Sequence, residues 1–373
     1  MAFSYWESNA WLEDVDLMVV GAGIVGLSAA LHARSMHPNW RIVVVDADPI
    51  GGGGSSRNAG FSCFGSATEL QHDRHTLGDE ATLELVRKRW HGLQRLRSTF
   101  GDSALGHRVC GSVELFPQGR SEAIPPAHEL ADLNRWIQPV TGIADTFTTV
   151  PTHSLPHLHM KTGGHAVLSR LEGLLDTGKM NRAFKSLAQA SAIDVLTGIR
   201  VDSIDATESI CELQISTLTR EAAEIHPRRL LIATNALAAG LIPQLDVQPA
   251  VNHVLVTDRI PAFNFPHAVH IDAGYVYARP IENRMLIGGG RHWELDERAT
   301  RHRLHSLLET LWPATKTAGI AFEWSGQLGV GKDRSPIVHR FAPNGIAAVR
   351  LGGMGVAIGM EVGRLAAEEF AIN

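Results

Sequence analysis

Leu17 to Val20 form an apolar run with no polar interruption, the pattern of a parallel strand covered on both faces. Leu27, Ala30 and Leu31 then give a helix one apolar side, and Ile42 to Val45 form a second unbroken run that ends at Asp46. Further on, Leu83, Val86, Trp90, Leu93 and Leu96 recur at three- and four-residue steps and predict a helix over 78–98. Residues 108–119 read as a strand closed by a Pro-Gln-Gly turn, whereas 120–160, rich in Pro, Thr and His, show weak periodicity and predict no element. AVLSRLEGLL (166–175) and NRAFKSLAQAS (181–191) read as helices. A strand pair with a Thr-Gly turn is expected over 193–206, and further strands over 210–217 and 228–236. Residues 249–260 and 273–290 suit long antiparallel strands, and 296–312, with Leu304, Leu307, Leu308 and Leu311, an amphipathic helix outside that sheet.

Glycines punctuate the first strand and helix. Gly21, Gly23 and Gly26 have the G-x-G-x-x-G spacing, with the strand before them, the helix after and an acid, Asp46, twenty residues beyond. A tight turn, a backbone open to a pyrophosphate and a close helix–strand contact each need one of these glycines, and the helix start offers free N–H groups to phosphate. Gly21, Gly23, Ile24, Val25, Gly26, Asp46 and Ala47 are therefore candidate contacts of a dinucleotide. A carboxylate at the ribose repels a 2′-phosphate, which points to FAD or NAD and away from NADP.

With 373 residues the chain is long enough for two intimately packed domains. The net charge of −5 and the lack of a basic run leave no electrostatic footprint for nucleic acid. Three separated cysteines, Cys63, Cys110 and Cys211, without a C-x-x-C pair argue against a disulfide framework or zinc site and make a reducing cytoplasm the expectation. The first residues lack the pattern of a secretory signal, and the most apolar stretch, 17–31, is interrupted by glycines, so no membrane span is expected. His153, His157 and His159 suit no single helical face and are read as surface loop, with no metal site.

The next segment separates the two dinucleotides. GGGGSSRNAGFS (51–62), directly after the ribose acid, resembles the FAD-contacting turn of the D-amino-acid oxidase, glycine oxidase and sarcosine oxidase superfamily. That resemblance adds Ser55, Ser56, Arg57, Asn58, Ala59 and Gly60 to the cofactor contacts, with the positive charge of Arg57 favouring a reduced, anionic flavin. It extends over nearly the whole chain, from the SYWE start through Val201, at the adenine, and Ala233-Thr234-Asn235, to the closing stretches 324–340 and 349–370. In the last of these, Gly353, Met354, Gly355, Val356 and Ala357 would bring a glycine turn and a helix start to the flavin, where a helix N-terminus stabilises negative charge. The implied fold is α/β, a Rossmann-like FAD-binding domain (1–75, 160–248, 325–373) interleaved with a substrate domain (76–159, 249–324) on a mostly antiparallel sheet.

The chemistry implied is oxidation of the C–N bond of a small amine or amino acid by hydride transfer to flavin N5, giving an imine, with oxygen or another acceptor taking the electrons. Three positions depart from the superfamily's pattern. Its carboxylate-holding arginine, five residues before Asp333, is here Leu328; its flavin-linking cysteine is Gly326, so FAD should be non-covalent; and its oxygen-side lysine is Leu286. Tyr275 matches the tyrosine that often contacts substrate carboxylate, and His253, Arg291 and Lys332 are further polar candidates near the flavin, Arg291 or Lys332 standing in for the missing arginine. An aromatic hydroxylase would show a late Gly-Asp-Ala segment, which is lacking, and a flavin-binding subunit without turnover is the alternative.

Overall fold

The structure, a computed structural model, describes residues 3–117, 124–158, 164–206 and 211–371. Leu17–Val20 is the third strand from one end of a six-stranded sheet, beside Ile42–Asp46 and Leu230–Ile232, with Asp194–Thr197, Gly345–Val349 and Ile337–Ala342 outside them. All neighbours are parallel except the last pair. The unbroken apolar runs follow from two covered faces. Leu17, Val19, Ile42 and Val44 pack toward the helices Ile24–Met36, Asp79–Phe100 and Gly355–Glu368, while Met18, Val20, Val43 and Val45 pack against a three-stranded antiparallel sheet built from Ile199–Ala206, Cys211–Thr217 and Arg220–Ile225.

An eight-stranded sheet forms the other half. Its order is Ile320–Val330, Gln248–Thr257, Arg284–Gly289, Val276–Ile281, Ala268–Ile271, Ser112–Leu115, His165–Ser169 and Phe147–Pro151, antiparallel but for the pair Ala268–Ile271 and Ser112–Leu115. Leu304, Leu307, Leu308 and Leu311 of the helix Glu297–Leu311 cover one face with Val269, Val276, Ala278 and Ile287. The opposite face looks toward the six-stranded sheet. Among the described residues no helix is long and apolar enough to cross a membrane.

Three expectations need correction. Residues 166–175 are not a helix: His165–Ser169 lies between two strands of the large sheet and Gly173–Leu174 pairs with Phe61–Ser62. Leucine spacing in so short a run fits either element, and partners on both edges decided for strand. Asp194–Thr197 and Ile199–Ala206 are both strands, but Gly198 sends them into different sheets, so they do not pair with each other. The weakly periodic stretch contains a helix, Ala127–Thr141, with Leu130, Leu133 and Ile137 buried, and the strand Phe147–Pro151. His159 and the Gln118-Gly119 part of the expected turn lie outside the described residues.

Candidate active site and cofactor cleft

The carboxyl ends of the parallel strands open on a cavity of about 700 Å³. Gly21 turns the chain there at φ +107°, and a Cβ on it would lie 2.9 Å from the Ala233 carbonyl oxygen. Gly26 faces the sheet instead of the cavity; a Cβ would lie 1.9 Å from the Gly21 carbonyl, so helix and strand touch backbone to backbone. Asp46 accepts hydrogen bonds from the N–H of Ala22 (2.8 Å) and of Asp48 (2.9 Å), which fix its carboxylate beside the glycine turn. Ser55 Oγ accepts from the Ile24 N–H at 2.9 Å, tying the second glycine segment to the first helix. Gly23, Ile24, Val25, Ala47, Ser56, Asn58, Val201, Ala233 and Thr234 also line this space, and the Thr234 hydroxyl is buried there without a partner among the described residues.

A second cavity, about 420 Å³, adjoins the first through Gly54, Asn58, Gln327, Leu328, Leu351, Gly352, Gly353 and Val356, which line both. The start of the helix Gly355–Glu368 therefore stands at the junction of two spaces, Gly355 on the first side and Met354 and Ala357 on the second. Asn235 secures that turn: its Oδ1 accepts from the N–H of Arg350 (3.0 Å) and Leu351 (3.2 Å). Arg350 in turn binds Asp246 (2.6 Å) and Asp333 (2.8 Å).

The second cavity is walled by side chains. The Tyr275 ring is approached by two guanidinium groups, Arg291 at 4.4 Å and Arg334 at 5.6 Å from its centroid, and Arg334 donates to the Tyr275 hydroxyl at 3.3 Å. Arg334 also pairs with Glu69 (3.0 Å) and Asp73 (3.1 Å), and Glu69 holds the buried Arg89 at 3.2 Å. By contrast, Arg291 has no carboxylate within ion-pair distance among the described residues, and burial holds its pKa below the ordinary guanidinium value. Tyr277 lies across Gly288, where a Cβ would meet its ring at 2.6 Å, and burial pushes its phenol up to about 12. Arg279 donates to the carbonyls of Ala59, Gly60 and Leu175 at 2.8–2.9 Å, and burial brings it down to about 10. Gly60, on neither cavity wall, belongs to this loop anchor, while Arg57 and Ala59 line the second cavity.

The sequence matches the profile of the DAO family, FAD dependent oxidoreductases, over residues 16–369. The chain belongs to that family. No curated protein matches it. Solved structures similar to it include L-proline dehydrogenase from P. horikoshii (17% identity, TM-score 0.75, covering 97% of this chain and 94% of that one). Others are glycine oxidase from Geobacillus kaustophilus (19%, 0.73, 95% and 93%) and iminodiacetate oxidase from Chelativorans sp. BNC1 (17%, 0.72, 96% and 95%). At these identities the likeness is one of fold.

The cleft of this FAD dependent oxidoreductase fits its cofactor. The glycine turn that a Cβ would block, the helix start beside it, the acid at the end of Ile42–Asp46 and the orphaned Thr234 hydroxyl suit an adenine dinucleotide, and the adjoining cavity has room for a flavin ring and a small substrate. Two of the polar candidates lie elsewhere. On the strand Gln248–Thr257, Asn252 and Val254 line the second cavity, so His253 between them points to the opposite face, toward Glu297 and Arg301 of the covering helix. Lys332 lies outside both cavities, where its backbone N–H binds Asp246, while Asp333 and Arg334 turn inward. Glu69, Asn252, His270, Tyr277 and Arg334 were not singled out from the sequence. Only Arg334, adjacent to Asp333 in a segment already of interest, carried a usable signal.

Proposed function

We propose that this chain oxidises the C–N bond of an amino acid or another small amine that carries a carboxylate, leaving an imine that water hydrolyses. FAD, held without a covalent bond, supplies the two-electron chemistry. Arg291 is the observation that carries the reading: a cation on the wall of the flavin-side cavity, stacked on Tyr275 and free of any acidic partner among the described residues. A substrate carboxylate would satisfy it by a charge-assisted bond, with the Tyr275 hydroxyl a second donor, and would thereby orient the C–N bond. In this reading the unit on the six-stranded sheet (1–75, 160–248, 325–373) holds FAD and the pieces between (76–159, 249–324) hold substrate, with His165–Ser169 and the end of Ile320–Val330 crossing into the large sheet.

The acceptor we favour is not dioxygen. Leu286, where the resemblance puts the oxygen-side lysine, is buried with Val254 and Val256 in an apolar cluster that also touches Trp324 and Tyr277. Free thiols at Cys63, Cys110 and Cys211 support a cytoplasmic enzyme. The test is anaerobic bleaching of the flavin band by glycine, sarcosine, L- and D-proline and iminodiacetate beside uncharged amines of equal size. Bleaching by carboxylated amines is expected, followed by faster reoxidation with a dye than with air. A protein that binds FAD but is bleached by none of them would instead be a flavin-binding subunit without turnover.

A further inference from the structure

The cavity that holds Tyr275 and Arg291 also exposes one edge of a buried histidine–carboxylate pair. His270, on the strand Ala268–Ile271, has Nε2 3.1 Å from Oε2 of Glu172, and both residues are almost completely removed from solvent. Glu172 cannot turn away. Its Oε1 accepts from the backbone N–H of Phe64 (2.9 Å) and Gly65 (3.1 Å), and its Oε2 from the Ser112 hydroxyl as well as from His270. Nδ1 of His270 has no hydrogen-bond partner among the described residues, and the ring forms part of the cavity wall, 5.6 Å from Phe61, with Tyr277 its register partner on the adjacent strand. Burying such a pair adds little net stability, because desolvation offsets the attraction, so its place on a cavity wall asks for another reason.

A metal site does not supply that reason. Cys63, Glu172 and His270 bring their ligand atoms within 4.8 Å of one another, but an ion would have to take the Glu172 oxygens from four hydrogen-bond donors. Burial also pushes the Cys63 thiol well up, against the thiolate a metal needs.

We propose that His270, oriented by Glu172, is the proton acceptor for the substrate's ammonium group, a role that rests on the C–N oxidation reading above. With Nε2–H donated to Glu172, Nδ1 is left as the basic nitrogen, 3.7 Å from where a Cβ on Gly274 of the cavity wall would stand. An ammonium N–H bond breaks, the proton goes to Nδ1 and the electron pair stays on the substrate nitrogen. That pair then forms the C=N bond as the C–H electrons leave as hydride to oxidised FAD, so no other oxidant is required. The groups facing His270 are Glu172, Glu114 on the neighbouring strand, Glu69 on the helix Ala67–Leu77, Cys63 and Tyr277. Desolvation would lower its pKa, but the hydrogen bond and charge of Glu172, helped by Glu114 and Glu69, outweigh it, and the ring titrates above the ordinary imidazole value.

Two measurements test this on the FAD-loaded protein. In side-chain ¹⁵N spectra, with His270 assigned by its loss in His270→Asn, the ring should titrate above the ordinary value of 6.5 and move down in Glu172→Gln. If Glu172→Gln does not fold, Glu172→Asp, whose shorter side chain draws the carboxylate back from the ring, should shift the titration the same way. A ring that keeps one protonation state from about pH 5 to 9, or titrates alike in wild type and variant, overturns the proposal. In the second measurement, anaerobic flavin reduction by whichever carboxylated amine bleaches the wild type should rise with pH through that titration. In His270→Asn it should lose this limb and fall about 100-fold, with the flavin spectrum unchanged, and imidazole should partly restore it in His270→Ala. Reduction within about threefold of wild type at every pH overturns the assignment. If no amine bleaches the flavin, the C–N reading fails, and the spectra still report whether His270 is a poised acceptor.

Discussion

The two halves of the cleft are made of different material. The side at the ends of the parallel strands is mostly backbone: a turn at Gly21, a helix that touches its strand at Gly26, and a single acid fixed by main-chain N–H groups. The second cavity is walled mostly by charged and aromatic side chains, with Arg291, Arg334, Glu69 and His270 drawn from four separate segments: Arg334 is held by Glu69, Arg291 lies over Tyr275 and His270 is held by Glu172. A site made of backbone tolerates almost any side chain that does not enter it, whereas a site made of side chains changes its chemistry with each replacement.

The comparison breaks most sharply at Gly26. In Gly26→Val the new side chain meets the Gly21 carbonyl, an overlap no rotamer relieves, and we expect about 3 kcal/mol of destabilisation with loss of bound FAD, measured by urea unfolding and flavin absorbance. On the other side, Arg291→Met should leave stability and the flavin spectrum unchanged yet lower kcat/KM for carboxylated amines about 10- to 100-fold, the equivalent of one charge-assisted hydrogen bond. Equal losses for uncharged amines would show that Arg291 does not read a carboxylate.

Asn235 joins the halves. Its backbone has φ +49°, which asparagine tolerates, and its side chain holds the turn before the last long helix, so Asn235→Ala should cost about 1–2 kcal/mol and weaken FAD retention, seen in thermal unfolding and flavin titration. The smallest effect concerns that helix. Glu361 is depressed: burial opposes its charge, but hydrogen bonds from Arg364 (2.6 Å) and Arg95 (2.9 Å) prevail. Its contribution is therefore complete above the ordinary carboxylate value near 4.5 and is lost as pH falls through the lower folded value. Glu361→Gln should remove about 1 kcal/mol of that acid dependence, read from unfolding midpoints across the acid range.

Legibility in the sequence followed the same division. Gly21, Gly26 and Asp46 carry their roles in their spacing, because backbone turns and strand ends occur at fixed distances along the chain. The same is true of Gly353 and Gly355, whose glycines precede a helix of good formers. His253 and Lys332 looked as suitable as Arg291, and only strand alternation and the course of the loop around residue 332 put them outside the cavity. The helix expected at 166–175 failed for a related reason: an apolar decamer takes its conformation from whichever strands lie beside it.

By itself the sequence determined the parallel βαβ unit and the return of a glycine turn near the carboxyl end, since each depends on local spacing and on residue types with few physical alternatives. Tertiary structure alone decided that Arg334 faces Glu69, that two arginines approach the Tyr275 ring and that His270 meets Glu172. Those contacts join residues far apart along the chain, and long-range pairing of charged groups leaves no periodic trace in the order of amino acids.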